Sequence, residues 1–176
     1  MCSGSSSTLT KYNNNSSYGT VDNLTVLEQI DDAAYQSDNT CRMPTLADLQ
    51  ELIDNTTSTW ETLNGVNGRR FTSKTNGNSI FVPAGGYCSN GSVYSVGSEA
   101  YLYSSSLYTG PSSSWYLRFS SSKVYTGSNN RYVGRSVRAV QEANTKFDPS
   151  EVYSRLSSLE SALERINAVL ESMNLS

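Results

Sequence analysis

Ser113-Ser114-Trp115-Tyr116-Leu117-Arg118-Phe119-Ser120 is the stretch that decides how this chain is read. Successive side chains along a strand point to opposite faces, so strict alternation of apolar and polar residues marks a half-buried strand. Leu117 and Phe119 share one face, with Trp115 at the same parity, and Tyr116, Arg118 and Ser120 take the other. A strand with one apolar face has a core beneath it. The segment is therefore a presented surface and not a low-complexity linker.

Working outward, the whole span from Ala84 to Val140 is dominated by Tyr, Ser, Gly and Asn, punctuated by Trp115, Arg118, Lys123, Arg131 and Arg135. Antibody paratopes use the same vocabulary: rigid amphipathic rings supply contact area, and small polar residues supply adaptable hydrogen bonds. The span closes on Asn130 to Val140, where Val137 and Ala139 alternate with Ser136 and Arg138, which predicts a final strand. Recognition, rather than chemistry, is the expectation.

Composition narrows the field. The 176 residues suit one domain with an appendage, and carry a net charge of −3. Without a basic stripe, phosphate-backbone binding has nothing to work with, so nucleic acid is not expected as a partner. No apolar run reaches membrane-spanning length. The absence of histidine removes the commonest general base and the usual imidazole ligand for zinc. Asp31 and Asp32 are neighbours and point to different helix faces, so no carboxylate pair stands out as acid and base. No enzyme activity, cofactor or metal is expected. Cys2, Cys41 and Cys88 match no metal signature; Cys41 and Cys88 are either a disulfide or two buried thiols. Met1-Cys2-Ser3-Gly4-Ser5-Ser6-Ser7 reads either as a lipoprotein tether with Cys2 as its lipid anchor or as a plain flexible start.

Residues 1–20 are Ser/Asn-rich and are expected to be a flexible N-terminal segment, partly disordered or strand-edge material. Thr25-x-x-Glu28 has capping-box spacing, and Leu27, Ile30 and Ala34 fall on one face, predicting a helix over Val26 to Tyr35 that Ser37-Asp38-Asn39 ends. Thr45 with Asp48 predicts a second start, with Leu46, Leu49, Leu52 and Ile53 as the buried stripe and Asn55-Thr56-Thr57 as the stop. From Trp60 the pattern changes to short strands between Asn64-Gly65, Asn67-Gly68 and Asn76-Gly77-Asn78. Two helices followed by strands predict an α+β fold. Trp60, Phe71, Phe81 and Leu117 are the core candidates.

After Asp148-Pro149-Ser150 the pattern changes again. Leu156, Leu163 and Leu170 fall at a, and Val152, Leu159, Ile166 and Met173 at d, of a heptad repeat. Leu at a with Leu or Ile at d leans away from two strands, and Arg155 at g faces Glu160 at e in a parallel arrangement. Residues 148–176 are thus expected to be a coiled-coil oligomerisation helix, forming a parallel homotrimer whose effect is avidity.

Three segments carry a family resemblance: Cys41-Arg42-Met43-Pro44-Thr45-Leu46-Ala47-Asp48-Leu49-Gln50-Glu51-Leu52, then Asn78-Ser79-Ile80-Phe81-Val82-Pro83-Ala84-Gly85-Gly86-Tyr87, then Gly134-Arg135-Ser136-Val137-Arg138-Ala139-Val140. In order and spacing, over roughly Leu24 to Val140, the chain resembles the major paralogous domain family named for Fibrobacter succinogenes. The resemblance implies a C-type lectin-like fold of the formylglycine-generating-enzyme type over residues 21–143, with two helices and a small twisted antiparallel sheet. The variable proteins of diversity-generating retroelements use this scaffold and rewrite surface codons near the end of the domain. Tyr103 stands where the family usually has Trp, and Arg135 where it has Phe, so residues 101–135 look like a diversified region. Neither Cys41 nor Cys88 lies in a motif of the enzymatic branch, and no calcium-sugar motif is present.

The candidate ligand contacts are Tyr103, Tyr108, Trp115, Tyr116, Arg118, Lys123, Tyr125, Tyr132 and Arg135, because exposed aromatics and arginines carry most binding energy at interfaces. Ser113, Ser120, Ser128 and Asn129 are candidate hydrogen-bonders at the rim. Trp115 has a competing core role by its parity, while Tyr87 and Tyr101 read as structural, and Arg42 and Arg138 as scaffold. The expected function is a receptor-binding protein at a phage tail-fibre tip, on the virion, recognising a bacterial surface protein or glycan. The alternative is a bacterial cell-surface lipoprotein adhesin with a fixed binding face.

Overall fold

Thr45 begins a helix as its spacing to Asp48 predicts: the Thr45 hydroxyl accepts from the Asp48 N–H, and the Asp48 carboxylate accepts from the Thr45 N–H, closing a capping box. In this computed structural model, which describes residues 5, 7–141 and 149–174, that helix is α2 (Leu46–Asn55). It is preceded by α1 (Ala33–Ser37) and β1 (Cys41–Arg42). Strands β2 (Thr56–Leu63), β3 (Val66–Ser73), β4 (Ser79–Pro83), β5 (Tyr87–Ser89), β6 (Ser92–Tyr94), β7 (Glu99–Leu107), β8 (Ser113–Ser120), β9 (Val124–Asn130) and β10 (Val140–Gln141) follow, and α3 (Pro149–Asn174) ends the described chain.

The described residues thus place ten strands in four small antiparallel sheets, ordered β1-β10, β2-β3-β4, β5-β6 and β7-β8-β9. This mostly-β architecture overturns the expected α+β, C-type lectin-like arrangement of two helices and one small sheet. One reason lies in the first expected helix. Instead of spanning Val26 to Tyr35, the chain makes a 3-10 turn at Gln29–Asp31 and only five α-helical residues. Asp32 is the cause: its buried carboxylate accepts from the N–H groups of Ala34 and Tyr35, starting α1 at Ala33, and also from that of Met43. Glu28 makes no side-chain cap. The second reason is that frequent turns cut the strands short and, apart from β1 with β10, strands pair only with their neighbours in sequence, so no single sheet accumulates.

The Asn64-Gly65 signal works as expected, with φ of 51° and 80° in a two-residue hairpin turn between β2 and β3. Asn67-Gly68 does not turn; it lies inside β3, opposite Thr62 and Glu61. Asn130 to Val140 is not one strand either. β9 ends at Asn130, and the chain then touches the sheets at isolated bridges, Gly134 to Cys88 and Ser136 to Leu102, before β10. The three motif segments meet here, since Arg42 pairs with Val140 and Gly134 with the strand after Gly86.

The core collects Leu49 from α2, Phe71 and Val82 from the first three-stranded sheet, and Ala100, Leu102, Leu117 and Phe119 from the second. Leu117 and Phe119 are fully buried, as their alternation predicts. Phe119 meets Phe71 and Trp60 edge-on at centroid distances of 5.8 and 6.4 Å. Phe81 is not in this cluster: its register opposite Arg70 places it on the sheet face away from Phe71 and Val82. Arg69 stitches the two sheets. Its buried guanidinium donates to the carbonyls of Ser58, Ser120 and Ser121 and to the Ser58 hydroxyl.

Part of the segment expected to be flexible is packed. Leu9 and Tyr12 are each 1% exposed, and Leu9 forms a parallel bridge with Gly19. Met1 to Gly4 and Ser6, with the anchor candidate Cys2, lie outside the described residues. Cys41 and Cys88 are both free thiols.

The chain divides into two units, Met1–Glu142 and Ala143–Ser176. In the second, α3 spans 26 residues, about 39 Å at 1.5 Å per residue. Leu156, Leu159, Leu163, Ile166 and Leu170 of its heptad seam are all at least half exposed. The side chains of Val152, Arg155 and Met173 lie outside the described residues. No described helix is long and apolar enough to cross a membrane.

Candidate functional site

The face of β7-β8-β9 turned away from the core is tiled by tyrosine and arginine. Register sets this directly. Tyr101, Arg118 and Tyr125 stand side by side across the three strands, and Tyr103, Tyr116 and Gly127 form the next row. Each row holds a guanidinium against two rings. Arg118 lies 5.2 Å from the Tyr101 ring centroid and 5.7 Å from that of Tyr125, and its Nη1 donates to the Tyr125 hydroxyl at 2.6 Å. Arg135 reaches in from the segment after β9, 4.7 Å from Tyr116 and 5.0 Å from Tyr103. A planar, weakly hydrated cation stacks on ring faces better than an ammonium does.

Gly127 makes the second row possible. A Cβ at this position would stand 2.9 Å from the Tyr116 hydroxyl oxygen, so only glycine lets the ring lie across β9. The rings continue beyond the sheet: Tyr101 meets Tyr116 at 5.7 Å and Tyr87 at 5.0 Å, and Tyr87 stacks on Tyr94 at 5.3 Å. Tyr94 and Tyr125 are the exposed ends of this ladder.

Charges on the face are internally matched. Arg118 donates to Glu99 and holds its carboxyl below the usual range, while Glu99 in turn raises the pKa of Arg118. Burial, with the hydrogen bond to Glu99, pushes the Tyr101 phenol up, so it stays protonated and donates. These groups keep fixed protonation states near neutrality. The face offers ring surfaces, guanidinium edges and hydroxyls; its chemistry is stacking and hydrogen bonding.

Of the residues singled out in the sequence, Tyr103, Tyr116, Arg118, Ser120, Tyr125 and Asn129 share this face by strand parity, and Arg135 stacks against it. Lys123, from the turn between β8 and β9, lines a shallow concavity with Glu99, Arg118, Ser120 and Tyr125. The Tyr103 hydroxyl donates to the carbonyls of Arg131 and Val133, which ties it to holding the turn after β9. Trp115 has core parity, is half-buried and meets Tyr108 edge-on at 5.2 Å; Ser113 and Ser128 share its side. Tyr132 sits in the turn, where its hydroxyl accepts from Asn130. Glu99 and Tyr94 were not singled out, and Tyr87 and Tyr101 were assigned a structural role. Parity with Tyr103 across β7 is the signal that finds Glu99 and Tyr101; nothing in the sequence pairs Tyr87 with Tyr94. Arg42 forms a two-point ion pair with Asp48, and Arg138 is exposed.

Comparison with known protein families, with curated proteins and with solved structures finds no match.

Proposed function

We propose that the protein is a ligand-binding protein that recognises a bacterial surface protein or glycan through the tyrosine–arginine face of β7-β8-β9. The observation that carries this reading is the pair of arginines, Arg118 and Arg135, each held between two tyrosines on a face that the core does not use. An ordinary solvent face would carry mobile Lys and Glu; rings and guanidiniums fixed in advance lose little entropy on binding. Three copies joined through the heptad seam of α3 would convert weak single contacts into avidity, which suits a tail-fibre tip on a virion. The Tyr, Ser, Asn and Arg content of residues 101–135 supports a face that is re-specified by retroelement diversification.

The test is binding of the fluorescently labelled full chain to intact cells of a panel of bacterial strains, with Tyr94→Ala, Lys123→Ala and Tyr125→Ala combined. Loss of about tenfold or more for the triple variant is expected, since each anchor at such a face contributes about 1 kcal/mol or more. Undiminished cell binding would remove this face as the site.

A further inference from the structure

A second feature lies at the end of the tyrosine face, where the N-terminal segment, the β7–β8 end of the sheet and the chain after β9 frame a half-open pocket of about 300 Å³. Leu27, Met43, Leu107 and Val137 give it an apolar wall, and Ser114 and Arg135 a polar one. This size is at the lower end for small-molecule sites, and an apolar lining with a few convergent polar groups is their usual character.

Two polar groups on the wall are buried without a hydrogen-bond partner: the Ser114 hydroxyl, on a residue 4% exposed, and the Arg135 Nε. Buried polar atoms are satisfied in roughly nine cases in ten, and two orphans on one cavity wall mark where a guest would place its polar end. Their geometry also selects the guest. The Nη1 of Arg135 is used on the Asn130 carbonyl at 3.2 Å, which leaves the edge formed by Nε and Nη2. That edge is a planar two-donor fork that fits both oxygens of a carboxylate. Stacking on Tyr103 and Tyr116 holds the fork in place. The carboxylate on the wall, Asp31, is already matched by Lys11 and by the Tyr12 hydroxyl, so it leaves the arginine to the guest.

We propose that this cavity binds a small amphipathic carboxylate, its two oxygens on the Nε–Nη2 edge of Arg135, one of them also accepting from Ser114, and its apolar body among Leu27, Met43, Leu107 and Val137. The site adjoins the cell-binding face and shares Tyr103 and Arg135 with it, and Ser114 lies on the same side of β8 as Tyr116.

Sodium phenylacetate titrated into the full chain, followed by amide NMR and calorimetry, tests this. Saturable binding that shifts the amides of Ser114 and Arg135 is expected, with the neutral isostere phenylacetamide about tenfold weaker or more. Ser114→Val and Arg135→Lys each weaken phenylacetate binding, and Val137→Trp, at a position open enough to accept the ring, blocks the apolar wall and abolishes it. Circular dichroism identifies any variant that fails to fold; Ser114→Val and Val137→Trp keep the test intact should Arg135→Lys do so. Absence of binding at millimolar phenylacetate, equal binding of phenylacetamide, displacement by inorganic phosphate, or full binding to Val137→Trp would each overturn the proposal. Cell binding of the wild-type chain, with and without phenylacetate, reads the tyrosine face separately.

Discussion

Tyr116 lies across Gly127, its hydroxyl oxygen 2.9 Å from where a Cβ on residue 127 would be. Tyr101 packs against the ring and the Arg135 guanidinium covers its face, so moving the ring disturbs both contacts. Gly127→Val is expected to destabilise the protein by about 1–3 kcal/mol, the usual range for overpacking. Combining it with Tyr116→Leu should recover most of that loss, because the clash is with the ring. A double-variant cycle in urea denaturation measures this; additive effects would show that the two residues do not touch.

Arg69 is a buried cation whose partners are three carbonyls and a hydroxyl, and burial draws its pKa down. Arg69→Met keeps the stem but strands the carbonyls of Ser120 and Ser121. A loss of about 2–3 kcal/mol is expected in thermal or urea denaturation, as for other broken buried networks. A change below about 0.5 kcal/mol would mean that the sheets are held by Phe71 and Phe119 alone.

Acid should loosen the fold through carboxylates that the folded state keeps ionised. Arg42 lowers the pKa of Asp48, Arg118 that of Glu99 and Lys11 that of Asp31. In the unfolded chain these groups take up protons near pH 4, above their folded values. Their contribution is therefore complete above about pH 5 and is lost as pH falls through the folded pKa values. The urea midpoint should hold steady from pH 7 to 5 and drop below about pH 4, less steeply for Asp48→Asn. A midpoint independent of pH down to about 3 would contradict the three assignments.

The α3 seam has a direct readout. Leu159 and Leu163 are 67% and 58% exposed, and a helix draws most of its stability from packing its apolar face against a partner. Light scattering of the full chain should give three times the monomer mass, and Leu159→Asp with Leu163→Asp should return it to the monomer. A monomer in both would refute self-association; a dimer or tetramer would replace the parallel trimer.

What could be read in advance depended on how local the determinant was. The capping box at Thr45 and Asp48, the Asn64-Gly65 turn and the inward side of β8 each rest on residues within a few positions of one another, and each was legible. The first helix was misplaced because Asp32 outcompetes Thr25, and its reward includes the N–H of Met43, eleven residues away. Phe81 was placed in the core because apolar character alone does not state strand parity. The division into four small sheets depends on pairings such as Arg42 with Val140, which no local pattern encodes. For the candidate face, composition pointed to the stretch that forms β7 to β9, while the separation of Trp115 from Tyr116 and Arg118 came only with register.

The packed N-terminal segment has a consequence for the order in which the molecule assembles. Arg131 donates to the carbonyl of Lys11 across 120 residues, and Tyr12 is sealed beside it. During synthesis on a ribosome, residues 9–13 emerge well before the guanidinium they dock against, which follows only after the second three-stranded sheet is complete. A segment made before the sheets is thus locked after them. A nascent chain stalled before residue 131 should leave Tyr12 open to protease long after Leu9 and Gly19 could have paired.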